Sequence, residues 1–73
     1  MMTKEQAEII MAYARSNMDA KAAGRELYMS DATVHYRLSQ IREQMGWNPK
    51  EFFDLCYLVG VAAQRIGGSD ERT

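Results

Sequence analysis

The chain has 73 residues, 47% of them hydrophobic and 26% charged, with a formal net charge of −1. That length excludes a second domain and leaves one small core, which is marginal without a staple or a partner because a domain of about 60 residues buries only ~60% of its unfolded surface. One cysteine (Cys56) and one histidine (His35) exclude a disulfide within the chain and a clustered metal site as that staple, so no metal and no cofactor is expected.

The first helix is predicted from about Thr3 to Ser16, with Thr3 as N-cap and Glu5 in the first turn, where negative charge suits the helix dipole. Ala7, Ile10, Met11 and Ala14 recur at i, i+3, i+4 and i+7 and define its buried face. Asn17 and Met18 break the run, and Asp19 caps a second helix from about Ala20 to Leu27. Ala22, Ala23 and Gly24 keep that helix thin. Gly24 costs about 1 kcal/mol of helix propensity relative to alanine, which calls for a packing reason. A thin helix permits the close, steep crossing of a helix-turn-helix.

Tyr28 and Met29 form the turn, Ser30 or Asp31 caps the third helix, and that helix extends to about Met45 with Gly46 as its stop. Val34, Leu38, Ile41 and Met45 stack at i, i+4, i+7 and i+11 and should face the core. At 100° per residue the opposite side carries Ala32, Thr33, Tyr36, Ser39, Gln40 and Glu43, flanked by His35 and Arg37. Trp47 should pack at the next junction. Asn48-Pro49 then reads as N-cap and first residue of a fourth helix reaching about Ile66, with Gly67-Gly68 as its end and a frayed tail over 67–73.

The fourth helix has Phe52, Leu55, Cys56, Val59, Ala62, Ala63 and Ile66 on one broad face, expected to be core, with Cys56 a small buried residue. Phe53, Tyr57, Leu58 and Val61 lie around the rest of the cylinder. A helix apolar on nearly all sides asks for cover on nearly all sides, so these four residues are the expected homodimer surface. The apolar stretch is interrupted by Asp54 and is shorter than the roughly 18 residues of a membrane span. A lone cysteine without secretory features fits the cytoplasm.

Charge collects in the middle of the chain. Lys21, Arg25, Arg37 and Arg42 outnumber Glu26 and Asp31 there, giving +2, whereas residues 1–20 carry −1 and residues 43–73 carry −2. That excess supports a nucleic-acid surface on the same segment. Thr33 sits where hydroxyl and backbone N–H groups meet a phosphate, or make a helix-start hydrogen bond. His35 and Tyr36 reach base edges or phosphates, unless they are solvated or packing residues. Arg37 holds a phosphate from the flank, or pairs with Glu26 or Asp31. Lys21 and Arg25 suit the flanking backbone, and Gln40 and Arg42 are weaker candidates. Asp31 is read first as a helix cap, although a carboxylate also accepts from cytosine N4.

Residues Asn17 to Met45, with A-A-x-R-x-L at Ala22 to Leu27, T-V-x-Y-R-L-x-x-I at Thr33 to Ile41, and then Gly46, resemble the C-terminal DNA-binding domain of PucR-type and sugar-diacid-type bacterial regulators. The likeness spans about residues 4 to 65 and extends more distantly to the Fis-type helix-turn-helix. It implies an all-α domain whose third helix enters the major groove, usually in a dimeric regulator, where the module follows a large sensory region. That family favours a basic residue where Asp31 stands, so base preference does not carry over.

The expectation is therefore an all-α, four-helix domain over residues 1–66 that binds double-stranded DNA as a transcriptional regulator and homodimer, with no small-molecule ligand. The alternative is a helical interaction module without DNA binding, favoured by the net acidity. An enzyme is not expected, because no acid, base and nucleophile cluster together.

Overall fold

A computed structural model describes residues 2–67. Its helices are α1 (Lys4–Arg15), α2 (Ala20–Leu27), α3 (Asp31–Met45) and α4 (Phe52–Gly67), with no strand among the described residues. The tail expected from Gly67 lies, from residue 68 on, outside them.

Thr3 closes α1 with a capping box: its Oγ1 accepts from the Gln6 amide at 3.0 Å, and its own amide donates to Gln6 Oε1 at 2.9 Å. Buried positions on α1 are Ala7, Ile9, Ile10, Ala12 and Tyr13, more of the circumference than the expected stripe, whose Met11 and Ala14 are only half-buried. The reason lies in the packing. α1 touches all three other helices, α2 also touches α3, and α4 packs among the described helices on α1 alone. A helix covered from two sides keeps only a narrow wet strip, here along Lys4, Glu8 and Arg15.

Asn17 and Met18 both take left-handed backbone angles, at φ 62° and 65°, and turn the chain into α2. Asp19 caps that helix by accepting from the Lys21 and Ala22 amides. At its far end Tyr28 is left-handed, at φ 60° and ψ 43°, and the Gly24 carbonyl accepts from the Tyr28 and Met29 amides. This turn explains Gly24. A Cβ there would lie far inside van der Waals contact of the Met29 carbonyl oxygen. Glycine is what lets the turn fold back on its helix.

Ser30, and not Asp31, is the N-cap of α3, its Oγ accepting from the Thr33 amide at 3.1 Å. Asp31 is the first helical residue, where its charge favours the helix dipole. Val34, Leu38 and Ile41 are fully buried, Met45 packs against the core from its edge, and Gly46 ends the helix in the left-handed region at φ 78°. Gln6 Nε2 donates to Gln44 Oε1 at 2.8 Å, tying the start of α1 to the end of α3.

α4 departs from expectation in its start and in its facing. Asn48 caps a tight turn before the helix: its Oδ1 accepts from the Lys50 amide at 3.0 Å, and its own amide donates to Asp54 Oδ2 at 2.9 Å. Pro49 is buried in that turn, and the helix begins three residues later, at Phe52. The core-facing line is Leu55, Leu58 and Ala62, while Phe52, Cys56, Ala63 and Ile66, expected in the core, are exposed. One neighbouring helix covers only a narrow line. Arg65 Nε donates to the Met2 carbonyl at 3.2 Å and holds the end of α4 to the start of the chain.

Gly24→Ala should lower stability by about 1–3 kcal/mol in urea unfolding, although alanine is the better helix former, because the backbone must move; equal or higher stability would mean that the turn yields freely. Burial raises the Tyr13 pKa above its ordinary 10.0. Between those two values the folded state binds the extra proton, so stability present below pH 10 should fall as pH rises through the folded-state pKa. Tyr13→Phe should flatten that alkaline fall, and parallel curves for the two proteins would contradict it.

Candidate nucleic-acid interface

Because Val34, Leu38 and Ile41 fix one side of α3 in the core, Ala32, His35, Tyr36, Ser39, Arg42 and Glu43 are left exposed. Tyr36 is 63% exposed, and its hydroxyl accepts from Gln40 Nε2 at 3.4 Å. Gln40 itself is half-buried. Thr33 is also half-buried, and its Oγ1 accepts from the Ser30 hydroxyl at 3.0 Å. The helix-start reading of Thr33 thus has a partner in place. His35 and Tyr36 carry the outward surface.

Arg37 lies on the other flank, where Nη1 donates to Glu5 Oε1 at 3.2 Å. Its partner comes from α1, and neither Glu26 nor Asp31 takes that place. Glu26 instead pairs with Arg15 across α1 and α2. Both pairs are exposed enough that each contributes well under about 1 kcal/mol. Their larger effect is on charge: Arg37 is already engaged, while Lys21, Arg25 and Arg42 have no ion pair among the described residues. Lys21 and Arg25 are exposed and four residues apart, on one side of α2.

These elements make two short helices crossing at a glycine-dependent turn, the second with a polar outer face. A family model, that of the PucR C-terminal helix-turn-helix domain, matches residues 6–60. The chain belongs to that family. The match takes in most of α1, the helix-turn-helix and the first half of α4, so the PucR-type domain here includes the supporting helices as well as the pair itself. No curated protein and no solved structure matches the chain.

The expected dimer surface is partly dismantled by the core. Leu58 is fully buried within the single chain and is not available to a partner, and Val61 is half-buried. Tyr57 is stacked on Trp47, with ring centroids 4.1 Å apart and planes at 23°, which fastens the link after α3 onto α4. Phe53 remains 83% exposed, edge-on to Phe52 at 5.3 Å. Beside them an apolar groove of about 250 Å³ runs past Ala14, Met18, Leu55, Cys56 and Val59. No helix among those described is long and apolar enough to cross a membrane.

Tyr28 was assigned only to the turn by sequence, yet its side chain is 96% exposed. The signal was present in its residue type: an aromatic stood where a left-handed turn favours glycine.

Proposed function

We propose that this PucR-type domain is a sequence-specific DNA-binding transcriptional regulator that places α3 in the major groove and acts in the cytoplasm as a homodimer, with no catalytic role. The observation that carries the reading is the outer face of α3, where His35, Tyr36 and Ser39 stand exposed opposite Val34, Leu38 and Ile41. In helix-turn-helix docking the second helix offers such residues to base edges while flanking cations meet phosphates. His35 and Tyr36 are the proposed readers. Lys21, Arg25 and Arg42 are the proposed phosphate contacts, with Arg37 joining them once released from Glu5.

Phe53 and the half-covered faces of α4 support the dimer, because exposed aromatic rings gain most from a second apolar surface. Gly60, where an added Cβ would meet nothing within 4 Å, leaves room for another helix to approach closely. Two-fold pairing sets the recognition helices about 34 Å apart and implies a palindromic site. The exposed Phe52 and Phe53, together with the net charge of −1, favour a second reading, an interaction module that binds a protein partner through α4 and leaves DNA alone.

Titration into fluorescent duplex DNA at several salt concentrations separates the two. Three free cations in each of two subunits give a slope of log affinity on log salt of about −5; undetectable binding at low salt would overturn the DNA reading. Sedimentation at micromolar concentration should report twice the 8.4 kDa chain mass. Phe53→Glu should return the protein to a folded monomer, whereas a wild-type monomer under these conditions would overturn the dimer.

A further inference from the structure

We propose that Tyr28 is a DNA-backbone contact: from the turn before α3, its phenolic hydroxyl donates a hydrogen bond to a phosphate oxygen. This rests on the DNA-binding reading above. The backbone at Tyr28 is left-handed, at φ 60° and ψ 43°, a conformation that favours glycine over any residue with a Cβ. The ring gives the fold nothing in return. It is 96% exposed, and among the described residues it makes no side-chain hydrogen bond and no aromatic pair. A side chain kept against the local backbone preference, without an internal partner, is the pattern expected of a binding residue.

Its position supplies the ligand class. Tyr28 stands two residues before Ser30, the cap of α3, so it flanks the start of the helix that carries His35 and Tyr36. Residues flanking that helix start meet the sugar-phosphate backbone, and tyrosine is among the side chains that bind phosphate oxygens. A phenol donates one hydrogen bond and carries no charge. It therefore positions the domain without releasing a counterion, so its contribution to affinity does not depend on salt.

The test uses the full chain, a random-sequence duplex and the duplex most enriched from a random pool. Tyr28→Phe should weaken binding about a hundredfold on both duplexes, consistent with loss of one hydrogen bond to a charged group in each of two subunits, with an unchanged salt slope. Lys21→Ala, as the charged control, removes one contact in each of two subunits and should make the slope shallower by about 1.8. Tyr28→Gly should lose at least as much affinity while melting at a higher temperature. Full affinity in Tyr28→Phe overturns the proposal, as does a lower melting temperature in Tyr28→Gly or a change of oligomeric mass in either variant. Wild-type protein that binds neither duplex overturns the DNA reading itself, and this proposal with it; wild-type binding matched by Tyr28→Phe overturns this proposal alone.

Discussion

Ile9 and Ile10 are adjacent on α1, and both are out of solvent. Successive residues on a helix point about 100° apart, so this requires neighbours on two sides of the axis. One side is the crossed pair α2 and α3; the other is α4, which meets the rest of the described helices only through α1. The helix-turn-helix therefore depends on a helix outside itself. With α1 removed, Val34, Leu38 and Ile41 would lose the surface that hides them, and the outward face of α3 would no longer be defined.

A second constraint acts at shorter range. Gly24 admits the Met29 carbonyl against its own backbone, and the turn closes by hydrogen bonds onto the Gly24 carbonyl. That contact fixes how α3 leaves α2 without using any large side chain. Apolar burial thus sets which side of α3 is wet, and a backbone approach sets its direction. The outward residues themselves carry little of the fold.

The helix ends were legible because their chemistry is local. Thr3, Asp19 and Gly46 do what their residue types imply, and α2 spans the expected Ala20–Leu27. Facing was legible in α3, where apolar residues form a narrow stripe. In α4 it was not, because Phe53, Tyr57, Leu58 and Val61 surround the axis and periodicity gives no preference; packing on α1 chose Leu55, Leu58 and Ala62. Asn48-Pro49 misled for a related reason: an asparagine oxygen caps a turn as readily as a helix, and here Lys50 took it. The Arg37 to Glu5 pair spans 32 residues, beyond the reach of local spacing. The polar face of α3 was readable, but which cations were already spent was decided by tertiary structure.

The engagement of Arg37 by Glu5 bears on how such a protein would find its target. Non-specific attraction to duplex DNA scales with the number of phosphates neutralised, and with Arg37 paired only Lys21, Arg25 and Arg42 among the proposed contacts have no ion pair among the described residues. For a regulator working as proposed, residence on random sequence is then short, and search proceeds by frequent release into solution more than by long sliding. Displacing Glu5 at a correct site would hand one more cation to the backbone, so arrival could lengthen the stay only where the fit allows it.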